Sequence, residues 1–207
     1  MSHLRYTYCI PYQEVDASRH LRLYTLENYL LNVAGRASDE QGIGIQYLLP
    51  QGMTWIITDL NLQLSYLPAH NETITIETWV EQNSHMLSVR NFRIYLHTGN
   101  SALVQIGEAR SVWAVLDLQK RELADVFSQS AFDGIADEEK LSIPRLSRMT
   151  PLQSNTEARS HHNEVRYSDV DYNGHCNSCK YLEKMLDALL PDFSSLFVPP
   201  LGQAQTP

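Results

Sequence analysis

MTWIITDLNLQLSY, residues 53–66, is the stretch on which the fold turns. Ile56, Leu60, Leu62, Leu64 and Tyr66 share one parity and Asp59, Asn61 and Gln63 the other, the two-residue period of a half-buried β-strand. Upstream the rhythm is helical. Leu26, Leu30, Val33 and Ala37 recur at three- and four-residue steps, which predicts an amphipathic helix over residues 23–38. Thr25 is expected to cap it and the Gly42/Gly44 region to close it. Gly35 inside the helix costs propensity, which reads as room for another backbone passing close. Residues 6–15 are expected to form a short strand before it. Downstream, a turn over residues 68–71 leads to TITIETWVEQ, with Ile74, Ile76 and Val80 on one face. HMLSVRNFRIYLH follows, then the turn Thr98-Gly99-Asn100 and a long alternating run over residues 103–118.

One long helix followed by long antiparallel strands with short turns predicts a sheet wrapped round that helix. Such an α+β layout is the hot-dog fold. Farther along, residues 167–186 read YSDVDYNGHCNSCKYLEKML. Tyr181, Leu182, Met185, Leu186 and Leu189 have helical spacing, so the polar cluster before them occupies a loop feeding a helix N-terminus. The loop has a counterpart near the start of the chain. Tyr12, Val15, Asp16 and His20 match Tyr167, Val170, Asp171 and His175 at a constant offset of 155 (167 − 12), with Glu14 against Asp169. One supersecondary unit is used twice. The first copy has Ser18 and Arg19 where the second has Asn173 and Gly174, so only the second holds an acid, an amide and an imidazole together.

The chain of 207 residues has length for one large or two small domains. Apolar residues at 43% and charged residues at 19% are globular values. A net charge of −8 argues against a general nucleic-acid or membrane-surface binder. No apolar run approaches the roughly 20 residues of a membrane span. The first 25 residues carry acids and no signal-like apolar stretch. Cys9, Cys176 and Cys179 are too few and unevenly placed for a disulfide framework, so a cytoplasmic location is expected.

Segments MTWIITDL, ETWV, SVRNFRIY and ARSVWAVLDLQKRELAD resemble the N-terminal half of the fatty acyl-[acyl carrier protein] thioesterases, and YSDVDYNGHCNS resembles their active-site motif. The resemblance implies tandem hot-dog domains, an acyl chain held mainly by the first half and catalysis from the second. With no transit-like segment at its start, the chain looks like a bacterial rather than a plastid member. The expected division is residues 1–127 for the N-terminal domain, 128–160 for a linker and 161–207 for a partial C-terminal domain. By the offset, residue 207 falls opposite Gly52. The counterparts of the long strands, and an acidic residue that the resemblance implies on them, are missing from the second copy. A shortened or frame-shifted chain and one completed by something else both fit that reading. Residues 128–160 are polar and rich in Pro, Ser and Thr, as in a solvated linker. Arg145, Arg148, Arg159 and Arg166 make that edge basic, and docking of an acidic carrier protein there is the weaker alternative to a solvated linker.

The expected catalytic residues are Asp171, Asn173 and His175. His175 would deprotonate or polarise water, and Asn173 would donate to the substrate carbonyl. Backbone N–H groups near Gly174 and His175 would complete the oxyanion site. Asp171 would orient Asn173 or His175, or share the base role. Tyr167, Asp169 and Asn177 read as supporting or capping residues. Met53, Thr54 and Trp55 are the substrate-binding candidates, placed by the resemblance in the acyl pocket. Trp55, Trp79 and Trp113 read as core. His175, Cys176 and Cys179, with His161 and His162 nearby, raise a zinc reading, but a second ligand pair at the right spacing is missing, so neither metal nor cofactor is expected. Cys176 as nucleophile is the weaker alternative, because the matching family position is normally aliphatic. The expected partner is an acyl carrier protein bearing a fatty acyl thioester. Rival readings are an acyl-coenzyme A thioesterase and a non-catalytic acyl-binding remnant. Open sheet edges and helix faces would suit a homodimer.

Overall fold

The computed structural model describes residues 3–99, 102–137, 139–144 and 160–197, with only the backbone from residue 190 onward. Strand β1 (Leu4–Cys9) leads through a single 3-10 turn into helix α1 (Leu23–Glu40). Pro11 ends β1 earlier than the sequence pattern suggested, because it withholds a ladder N–H. Arg22 occupies the N-cap of α1 without a side-chain bond, and Thr25 lies buried inside the helix rather than capping it. At the other end Gly42 takes a left-handed φ of 75°. Ile43 N–H then donates to Ser38 O at 2.9 Å, closing the last turn.

A four-residue helix α2 (Ile45–Leu48) precedes strands β2 (Met53–Leu64), β3 (Thr73–Ser84), β4 (Leu87–His97) and β5 (Leu103–Asp117), with a short β6 (Glu122–Leu123). The antiparallel order is β1-β3-β4-β5-β2, with β6 paired to β5. This sheet curls round α1. Leu26, Leu30, Val33 and Ala37 are fully buried against Ile74, Ile76, Phe92 and Ile94. The expected helix stripe and strand faces therefore meet as one core, save at one position. A bulge at Thr58 shifts the β2 register, since Ile57 pairs with Trp113 and Asp59 with Val112. Ile56 thus falls on the opposite face from Leu60, Leu62 and Leu64. Gly107 allows the β2–β5 approach, because a Cβ there would meet Gln63 O at 2.8 Å.

The stretch after β6 is not a solvated linker where it is described. Val126, Phe132, Ile135, Leu141 and Ile143 are buried, and Ala136 bridges Val80. Residues 139–144 cross the outer face of the sheet as a strap. Trp79 Nε1 donates to Glu139 O at 2.8 Å, and Arg110 donates to Ile143 O at 2.9 Å and Leu141 O at 3.1 Å. This makes Arg110 and its partner Glu81 a buried ion pair. His3 stacks on Trp79 at 4.1 Å and lies beside Glu77 and Glu139, tying the start of β1 to the same strap. Arg145, Arg148 and Arg159 lie outside the described residues; Arg166 is exposed.

After a 3-10 turn at Tyr167–Asp169 comes helix α3 (Ser178–Phe197), which packs against α1. Leu182 and Leu186 are half-buried there, whereas Tyr181, Met185 and Leu189 are exposed. Among the described residues 160–197 no strand forms.

Candidate active site

The repeated sequence produces a repeated loop. In the first copy Asp16 Oδ1 accepts from Ser18 N at 2.8 Å and His20 N at 3.2 Å. In the second, Asp171 Oδ1 accepts from Asn173 N at 2.9 Å and His175 N at 3.1 Å. Each aspartate N–H donates to the histidine carbonyl at 2.8 Å. Arg19 and Gly174 occupy the same left-handed corner, with φ of 66° and 74°. Glycine takes that corner at no steric cost, whereas arginine does not. The acids before the loops also correspond. Tyr29 donates to Glu14, and Lys184, at the same offset, donates to Asp169 at 3.0 Å. The Arg166 N–H and the Lys184 ammonium hold the Asp169 carboxyl below the usual carboxylate range.

The geometry bears on the roles expected for Asp171 and for the backbone N–H groups. Asp171 acts on main-chain N–H groups, as Asp16 does, so it orients Asn173 and His175 through the backbone. The N–H groups of Gly174 and His175 are already committed, to Asp171 O at 3.0 Å and Asp171 Oδ1 at 3.1 Å. The His175 side chain is exposed, facing solvent at the mouth of a cavity.

That cavity holds about 660 Å³ and runs between α1, the start of β2 and the Asp171–Ser178 loop. Its volume is that of a small-molecule site. Trp55, Ile56, Ile57 and Trp113 form an apolar wall, and both tryptophans also pack against the buried clusters, so they join core to cavity. Trp55 is fixed by its Nε1 bond to Ile43 O at 2.9 Å. Gly35 lines the cavity too, and nothing lies within 4 Å of where its Cβ would stand. The glycine borders open space rather than a neighbouring backbone. Of the other expected pocket residues, Thr54 contacts Asn173 and Met53 packs with the second cluster around Val126 and Phe132.

Arg90 was not anticipated. Its guanidinium is buried on the cavity wall and donates to Gln41 Oε1 at 3.0 Å and Ser38 Oγ at 3.3 Å. Burial brings its pKa down to about 10, so it stays charged at neutral pH. Within SVRNFRIY its place in a strand alternation carried no such signal.

Cys179 faces α1 beside Glu27, and burial, reinforced by Glu27, pushes its thiol up to about 12. A thiol held protonated is a poor nucleophile. Glu27 is buried beneath the start of α3, and burial raises its carboxyl above the ordinary 4.5, against the lowering by Ser178 and Cys179. The native protein therefore takes this proton before the unfolded chain does. Stability contributed at this site falls as pH rises from 4.5 through the raised native value. In thermal melts at pH 5 and pH 7.5, Glu27→Gln is expected to gain on the wild type at the higher pH; a pH-independent difference would count against the buried carboxylate.

Two family models match the chain: the acyl-ACP thioesterase N-terminal domain over residues 2–131 and its C-terminal domain over residues 152–199. The chain belongs to the acyl-ACP thioesterase family. The crystal structure of an acyl-ACP thioesterase from Bacteroides thetaiotaomicron is 32% identical, with a TM-score of 0.79 over 93% of this chain and 76% of that one. The 12:0-ACP thioesterase from Umbellularia californica shares the fold at 14% identity, TM-score 0.78, over 93% and 77% of the two chains. The chloroplastic oleoyl-acyl carrier protein thioesterase of Coriandrum sativum is 21% identical over 195 residues, 85% of this chain and 51% of that protein. This acyl-ACP thioesterase family member thus spans about half the length of the curated relatives it matches. The family confirms the hot-dog reading of the sheet round α1.

Proposed function

We propose that the protein hydrolyses the thioester of fatty acyl-[acyl carrier protein], releasing the free fatty acid in fatty acid biosynthesis. The observation that carries the reading is the Asn173–Gly174–His175 turn, set by Asp171, at the mouth of a cavity walled by Trp55, Ile56 and Ile57. The acyl chain lies along that wall, and the thioester carbonyl meets the loop. Asn173 donates its amide N–H to the carbonyl oxygen as negative charge develops. His175 takes a proton from the attacking water and returns one to the leaving thiol. The cytoplasm suits a chain whose Cys9, Cys176 and Cys179 are all free thiols. No helix among the described residues is long and apolar enough to cross a membrane.

The test is release of free fatty acid from one acyl chain presented on acyl carrier protein and on coenzyme A. The carrier thioester is expected to show a kcat/KM about tenfold higher or more, roughly 1.4 kcal/mol of added transition-state contact. Equal or reversed preference would transfer the assignment to an acyl-coenzyme A thioesterase. Binding without turnover by a folded protein would make it an acyl-binding module.

A further inference from the structure

We infer that Thr54 is a positioning residue that fixes the direction of the Asn173 amide from the opposite unit of the protein, an inference that rests on the thioesterase reading. Thr54 lies near the start of β2, 119 positions away from Asn173, and is 1% exposed. Its Oγ1 donates to Asn173 Oδ1 at 3.2 Å. A primary amide has two ends, and only the N–H₂ end can stabilise a developing oxyanion. With its oxygen occupied by the Thr54 hydroxyl, the amide presents its nitrogen elsewhere. The Asp171 carboxylate fixes the backbone of Asn173 but leaves side-chain rotation free. Thr54 supplies the missing constraint.

The register of β2 explains why this residue is available. Thr54 pairs with Leu116 on β5, while its neighbours Trp55 and Ile56 enter the cavity wall. The same strand therefore holds the ligand wall and aims the catalytic amide. This couples the placement of the acyl chain to the orientation of the oxyanion donor. In the first copy the position matching Asn173 is Ser18, whose hydroxyl turns inward to Asp16 Oδ1 at 2.6 Å and needs no such partner.

The test compares Thr54→Val, which keeps the shape and removes the hydroxyl, with Thr54→Ser, which keeps the hydroxyl. Turnover of acyl-carrier thioester is expected to fall about 5- to 20-fold in kcat for Thr54→Val with KM little changed, the loss of one hydrogen bond's constraint. Thr54→Ser should recover most of it. In an Asn173→Ala background Thr54→Val should add less than about a twofold loss, because the two act as one unit. A separate readout is the Asn173 side-chain amide pair in ¹H–¹⁵N spectra, identified by its disappearance in Asn173→Ala. It should shift in Thr54→Val and return in Thr54→Ser. An unmoved amide, an unchanged kcat, a loss confined to KM or equal losses in both backgrounds would each overturn the inference. A folded wild type without turnover would instead remove the thioesterase reading, whatever the amide signal does.

Discussion

Glu81→Ala is expected to lower the unfolding free energy by about 3–5 kcal/mol, the cost of leaving a buried charge without its counter-ion. Glu81 is 3% exposed and Arg110 8%, and their side chains meet at 2.9 Å. Asn91 closes the group, donating to Glu81 Oε2 at 2.9 Å. Without the carboxylate, the Arg110 guanidinium stays charged beneath the strap, held only by neutral oxygens. Leu141 and Ile143 would then lose their seat beside Trp79. A control separates charge from packing. The pair Glu81→Met with Arg110→Met removes both charges but also the donors to Ile143 O and Leu141 O, at about 1–3 kcal/mol for an unsatisfied buried acceptor. The double variant should therefore be more stable than Glu81→Ala yet below the wild type. Urea denaturation measures all three, and a loss under 1 kcal/mol in Glu81→Ala would show that the strap is not held through this ion pair.

Asn173→Ala and His175→Ala are each expected to lower kcat on acyl-carrier thioester by about 10²- to 10³-fold. His175→Ala should do so with little change in melting temperature and Asn173→Ala with a modest drop, because the buried Thr54 hydroxyl loses its acceptor. Neither residue is in the hydrophobic core, and apart from the Thr54–Asn173 bond the loop is shaped by bonds from Asp171 to main-chain atoms, which alanine keeps. Asp171→Ala should behave differently, lowering activity and loosening the loop together, since Asp171 bonds only to the backbone there. Asn173→Ala that keeps wild-type turnover would remove the amide from the mechanism and transfer the oxyanion role elsewhere. A His175→Ala variant that keeps its rate would do the same for the base.

The sequence by itself determined the parts that depend on local periodicity. The stripe of Leu26, Leu30, Val33 and Ala37, the alternation along β2 to β5 and the doubled Asp–x–x–x–His loop are legible because each repeats at a fixed step along one element. The Asp171, Asn173 and His175 cluster was legible for the same reason, since all three lie within one turn. Tertiary structure decided the rest. The bulge at Thr58 reversed the face of Ile56, and no property of residues 53–64 alone marks where a partner strand skips a residue. Arg90 and Arg110 sit in strands whose pattern suits exposed cations. They are buried because distant segments, the end of α1 and the strap, bring acceptors to them. The commitment of the Gly174 and His175 N–H groups to Asp171, and the reach of Thr54 to Asn173, likewise depend on where two remote pieces of backbone are held. Periodicity reports which side of an element meets apolar neighbours. Which polar atoms find partners is fixed only when the elements are packed.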